Sequence, residues 1–222
     1  MNKKLIILGI IILIASIAIK LTLNAFKNFK PDDFKKASII FVVDSSASNQ
    51  SKLNDEIKFV KQLCKILDPE DVIKILKVSE DSYLIYEGSP LETSSISKSF
   101  DAFTEYDEKE YGTAYGEGLK KAFTHALNMK KEGYVPSIIV LGDLENEGAI
   151  EKQINWDVLP SNVKKVQEQI PEISMAFLYA HPEKLDFVKE KLLPILGENK
   201  LIIATEYAID KVSRKILNAI GR

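Results

Sequence analysis

Asp44, Ser46 and Ser48 stand at alternate positions directly after the apolar run Ser38-Ile39-Ile40-Phe41-Val42-Val43. A second aspartate, Asp143, follows another such run, Ser137 to Leu141, across a single glycine. Carboxylates and hydroxyls are hard oxygen donors. Two aspartates at close range repel unless a cation lies between them, and a small dication such as Mg²⁺ asks for about six oxygens, several of them from water. The i, i+2 spacing in Asp44-Ser45-Ser46-Ala47-Ser48 lets a tight loop turn three oxygen-bearing side chains toward one point. Asp and Ser are also ordinary helix caps, so Ser48 or Ser51 could serve only to start the helix that follows. Composition narrows the chemistry further. One Cys and two His exclude an intramolecular disulfide and a Cys/His zinc site. Thirty Lys and Arg against 32 Asp and Glu give a net charge of -2, so no nucleic-acid partner is expected.

The elements that must position these residues can be read from the hydrophobic pattern. Ser38–Val43, Ser137–Leu141, Ile173–Leu178 and Leu201–Ala204 are short continuous apolar runs, the pattern of strands buried on both faces. Asp71–Val78 and Ser82–Tyr86 are two further strands, joined so closely that they must form an antiparallel hairpin. Leu53, Ile57, Val60, Cys64 and Leu67 recur at helical spacing, and Asp68-Pro69 stops that helix. Weak helical character runs from about Ser94 to Phe103. Leu119, Ala122, Phe123, Ala126 and Leu127 mark one face of a helix ending near Lys130. Pro182 opens another helix, and Ile209, Val212, Ile216 and Ile220 line the last. Alternating strands and helices predict an α/β domain over residues 38–222. Its sheet is doubly wound and mostly parallel, with helices on both faces and one antiparallel edge strand. Ligands of such folds sit beyond the carboxyl ends of the strands, where the strand order reverses. The commonest order puts the first and fourth strands side by side, bringing Asp44 to Asp143.

Phe41-Val42-Val43-Asp44-Ser45-Ser46-Ala47-Ser48 resembles the metal-ion-dependent adhesion site of von Willebrand factor A domains. Tyr111-Gly112-Thr113-Ala114-Tyr115-Gly116-Glu117-Gly118-Leu119 is similar to the family's G-T-x-x-x-x-A/G-L segment, and Gly142-Asp143-Leu144 to its T-D-G. The three pieces come in the family's order, and the resemblance covers about Ser38 to Ile220. It departs at Gly142, where the family usually has Thr, and at Leu144, where it has Gly. The resemblance implies that Ser46, Ser48 and Thr113 offer hydroxyls to Mg²⁺, Mn²⁺ or Ca²⁺, with Asp44 and Asp143 acting directly or through water. It also implies a noncatalytic binding module whose ion is completed by an exposed Asp or Glu of a protein partner. Two alternatives remain at this point: a Mg²⁺-dependent phosphohydrolase with Asp44 as nucleophile, and a metal-free scaffold that keeps the fold. Against the enzyme, Ser46 stands where a phosphoaspartate mechanism commonly wants a second acid, and there is no Gly-rich phosphate loop with a Lys.

Ahead of the domain, Leu5–Ile19 is uncharged and apolar between Lys3-Lys4 and Lys20. Fifteen helical residues span about 22 Å, and Leu21–Phe26 extends the segment to bilayer length. Residues 1–26 are therefore expected to be a hydrophobic helix, either a single-pass membrane anchor or a secretory signal cleaved after Ser16-Ile17-Ala18. Residues 27–37 form a Lys-rich linker broken by Pro31-Asp32-Asp33. The short basic N-tail favours an extracytoplasmic domain, although the lysines after the segment pull the other way. The acidic run Glu105–Glu110 reads as a solvated loop or a rim that discriminates among partners, and Glu145 and Glu147 as loop acids near the site. His125, His181 and Trp156 read as structural or surface groups.

Overall fold

The computed structural model describes residues 35–104, 112–204 and 209–222. The apolar segment 1–26, the linker up to residue 34 and the run Glu105–Glu110 lie outside the described residues. Among the described residues no helix is long and apolar enough to cross a membrane.

Six strands form one sheet: β1 (Ala37–Asp44), β2 (Val72–Val78), β3 (Ser82–Gly88), β4 (Val135–Leu141), β5 (Ser174–Leu178) and β6 (Leu201–Ala204). Their order is β3-β2-β1-β4-β5-β6. Every neighbouring pair is parallel except β2 and β3, which form the expected antiparallel hairpin at the edge. The order reverses between β1 and β4, so the switch point lies where the sequence placed it. The central strands are wholly buried because they are apolar on both faces.

The helices are α1 (Gln50–Cys64), α2 (Thr93–Ser99), α3 (Asp101–Thr104), α4 (Tyr115–Lys131), α5 (Leu159–Gln169), α6 (Pro182–Leu196) and α7 (Ile209–Ala219). Ile40 and Val42 of β1 point into one core with Leu119, Ala122 and Phe123 of α4 and Val163 of α5. Ile39, Phe41 and Val43 point into the other core with Leu53, Val60 and Leu63 of α1 and Val212 and Ile216 of α7. Two packed faces on one sheet are the doubly wound architecture.

Two details depart from the sequence reading. Helix α5 was not foreseen, although Leu159, Val163 and Val166 form its buried stripe. On α1, Ile57 was expected in the core but is half-buried, and Glu56 is buried beside Leu53, Val60 and Leu63. At the opposite end of the sheet from Asp44, the buried Asp71 gathers several donors. Its Oδ1 accepts from the Ala37 N–H at 2.8 Å, and both its oxygens accept from the Arg222 guanidinium at 2.5 Å. Arg222 also donates to the Lys35 carbonyl at 2.7 Å.

Candidate metal-binding site

Strand register builds the site. Val43 lies opposite Leu141, so the turn after β1 and the loop after β4 leave the sheet side by side, led by Asp44 and Gly142. On the other flank Ser45 donates its N–H (2.8 Å) and hydroxyl (3.1 Å) to the Val78 carbonyl, pinning the turn to the end of β2. Asp44 is fully buried. Its Oδ1 accepts the Ser46 N–H at 2.8 Å, and its Oδ2 accepts the Tyr115 hydroxyl at 2.8 Å. The Ser46 and Ser48 hydroxyls lie 3.1 Å apart. Ser46 is buried and Ser48 exposed, which opens this oxygen cluster to solvent.

Asp143 is also buried, and its Oδ1 accepts the Glu145 N–H at 2.8 Å. Thr113 sits on the loop entering α4. Its N–H donates to the Glu147 carbonyl at 3.1 Å, and the next residue, Ala114, donates to the Ser79 carbonyl at 2.7 Å. The Thr113 hydroxyl is buried with no hydrogen-bond partner among the described residues. Glu145 pairs with Lys184 at 3.2 Å rather than facing the cluster freely, and Glu147 is exposed. His181 precedes α6 at its N-cap. His125 lies along α4, where burial holds its pKa below the ordinary value. Trp156 packs edge-on against Phe187, with ring centroids 5.2 Å apart.

The electrostatics follow from this crowding. Burial pushes the Asp44 carboxyl up to about 7, and the negative charge of Asp143 adds to the rise, against hydrogen bonds from Ser46 and Tyr115. Burial also drives Glu56 well above the carboxylate range, with Asp44 and Asp143 contributing. Tyr115 is fully buried and held well above its ordinary value, first by burial and then by Asp44, so its hydroxyl keeps its proton.

Tyr115 had no assigned role in the sequence reading. Its hydroxyl donates to Asp44 and accepts the Leu144 N–H at 3.3 Å, so one oxygen ties the β1 turn, the start of α4 and the β4 loop together. Gly142 makes room for it. A Cβ at Gly142 would lie 1.9 Å from the Tyr115 oxygen and 2.5 Å from the Asp44 Cβ. The two departures from T-D-G thus acquire a shape. Gly142 clears space for Tyr115, and Leu144 takes a positive φ of 63°, a conformation that favours glycine, while burying its side chain in the core.

Among the described residues no three or more of His, Cys, Asp and Glu are grouped to hold a metal. The available donors are two carboxylates and three hydroxyls. An all-oxygen set with an unpartnered buried hydroxyl and a carboxylate unsettled by its neighbour fits a hard dication.

Residues 39–146 match the sequence model of the von Willebrand factor type A domain. The matched stretch is just under half of the chain and is similar to von Willebrand factor type A domains. Solved structures agree on the fold. A von Willebrand factor type A protein from Catenulispora acidiphila is 13% identical, with TM-score 0.55, over 84% of this chain and 43% of its own. The pilus adhesin SpaC of Lactobacillus rhamnosus GG in its open conformation is 13% identical, with TM-score 0.59, over 85% of this chain and 30% of its own. A conserved hypothetical protein, BatB, from Bacteroides thetaiotaomicron is 16% identical, with TM-score 0.57, over 82% of this chain and 98% of its own. The chain thus spans less than half the length of the first two and nearly all of the third. No curated protein matches it in sequence.

Proposed function

We propose that this von Willebrand A-like domain is a noncatalytic protein-binding module. Ser46, Ser48, Thr113, Asp44 and Asp143 hold a divalent cation, Mg²⁺ first and Mn²⁺ or Ca²⁺ in its place, and an exposed Asp or Glu of a protein partner completes the site. The observation that carries this reading is the buried Thr113 hydroxyl, which has no partner among the described residues and sits on a loop tied to the same end of the sheet as Asp44. A bound dication would supply a positive centre that attracts a carboxylate. The chain's own part is to hold the oxygens together and keep Asp44 fixed through Ser46 and Tyr115. The solved relatives include a pilus adhesin, in line with a binding role. Residues 5–26 tether the domain as a single-pass membrane segment, with the domain on the extracytoplasmic side; the support is the apolar run between lysines.

A phosphohydrolase that uses Asp44 as nucleophile fits poorly with a fully buried carboxylate whose two oxygens already accept hydrogen bonds. The metal-free scaffold is favoured by one observation, the Tyr115 hydroxyl seated on Asp44 in a space cleared by Gly142. Thermal unfolding of the full chain decides between the two. Mg²⁺ at 100 times its Kd should stabilise the native state by about 2.7 kcal/mol. EDTA should reverse the gain and Asp44→Ala should abolish it, and capture of a partner should be lost in EDTA and in Asp143→Ala. An unfolding midpoint indifferent to Mg²⁺, Mn²⁺ and Ca²⁺ would establish the scaffold reading.

A further inference from the structure

The buried face of α1 carries an anomaly. Glu56 is fully buried on a helix whose remaining core contacts are apolar, and Asn49, the residue directly before the helix, is fully buried too. The Asn49 side-chain amide uses both its hydrogens: one goes to the Asp44 carbonyl at 3.0 Å, the other to Glu56 Oε1 at 2.9 Å. Glu56 is thus the acceptor that orients Asn49, and Asn49 is the donor that holds the last carbonyl of β1. The same turn is closed by the Asn49 N–H donating to the Ser46 carbonyl at 3.2 Å and by the Ser46 N–H on Asp44 Oδ1. Its shape decides whether the Ser46 and Ser48 hydroxyls stand together.

We propose that Glu56 is a positioning residue for the ion-binding turn, acting through Asn49 to clamp the Asp44 carbonyl and hold residues 44–49 in the shape that presents Ser46 and Ser48. The ion part rests on the function proposed above; the clamp on the turn does not need the ion. A buried acid is an unusual choice for such a post. Burial and the nearby Asp44 and Asp143 favour its protonated form, which matches glutamine in shape and keeps a carbonyl oxygen for Asn49. The clamp therefore depends on an acceptor at this position and not on a charge. Among the described residues Glu56 Oε2 has no partner, so the acid adds nothing there that glutamine could not also supply.

The test uses the full chain with Glu56→Gln, Glu56→Met and Asn49→Ala, read by amide hydrogen exchange in EDTA and by calorimetric titration with Mg²⁺. Glu56→Met should make the Ser46 and Asn49 amides exchange about tenfold faster while those of β1 and β4 stay as in the wild type. Mg²⁺ affinity should fall on the order of 10–100-fold. Glu56→Gln should match the wild type in both measurements, whereas a merely space-filling role would let Glu56→Met match it as well. If Glu56→Met does not fold, Asn49→Ala must show the same local exchange. Unchanged exchange in the folded Glu56→Met or Asn49→Ala chain overturns the clamp, as does a Glu56→Gln chain as loose as Glu56→Met. A wild type that binds no Mg²⁺ while the exchange responds ends the ion reading and keeps the clamp. Unchanged exchange in the variants, with a wild type that does bind Mg²⁺, does the reverse.

Discussion

Replacing Asp44 by asparagine should stabilise the metal-free domain at neutral pH. The folded carboxyl sits at about 7 against an ordinary 3.8, because it is buried beside Asp143. Between those values the native state holds more protons than the unfolded chain, so stability falls as pH rises. The loss starts above 3.8 and is complete a little above 7. At 1.36 kcal/mol per pH unit it amounts to roughly 4 kcal/mol, of which about 2.5 kcal/mol falls between pH 5 and pH 8. Asparagine keeps its Oδ1 as the acceptor for Ser46, turns its amide N–H toward the Tyr115 oxygen in place of the Tyr115 O–H donation, and carries no charge to desolvate. Urea unfolding of wild type and Asp44→Asn at pH 5 and pH 8 in EDTA measures the difference. Glu56, raised in the same direction chiefly by burial, steepens the profile of both proteins; losing the Asp44 charge eases that rise in the variant and so adds to the same difference. The variant should gain about 2–3 kcal/mol on the wild type in going from pH 5 to pH 8, and Mg²⁺ should stabilise the wild type alone. A parallel pH dependence in the two proteins would refute the argument that Asp44 is a strained charge awaiting a counter-ion.

Three further substitutions probe the scaffold of the site. Tyr115→Phe leaves the buried Leu144 N–H without its acceptor and should cost about 1–3 kcal/mol in urea unfolding, with a further rise in the Asp44 pKa visible by carbon NMR of the carboxyl. Gly142→Ala drives a methyl group into the Tyr115 oxygen at a positive φ of 141°, and should destabilise by about 3 kcal/mol or more, measured the same way. Arg222→Ala strands the buried Asp71 carboxylate and should cost about 3–5 kcal/mol, while Arg222→Lys, unable to form the two-pronged contact, should recover only part of it.

How much of this was legible depended on how local each signal is. The buried strands declare themselves because a strand covered on both faces must be apolar throughout, and the order of strand and helix then fixes where β1 and β4 meet. Asp44, Ser46 and Ser48 are legible for the same reason, since they follow a recognisable strand end. Helix α5 was overlooked because Pro160 and the polar residues around Val163 dilute a stripe of only three buried side chains. Tyr115 could not be found by pattern: its partner Asp44 is 71 positions away, and tyrosine at a helix start usually signals nothing. Glu56 was hidden by its own chemistry, because a glutamate in an amphipathic helix reads as solvent-facing, and only burial against Asn49 shows otherwise.

The Arg222–Asp71 knot has a mechanical meaning. It fastens residue 35 and the last turn of α7 to the amino end of β1, whereas the oxygen cluster lies at the carboxyl end of the same strand. Tension applied between residue 35 and a cargo seated on Asp44 would run lengthwise through β1. That load is borne by the covalent backbone of β1 itself, while the parallel neighbours on both sides hold the strand in line. A domain wired in this way transmits pull along one strand and leaves the ladders between strands unloaded.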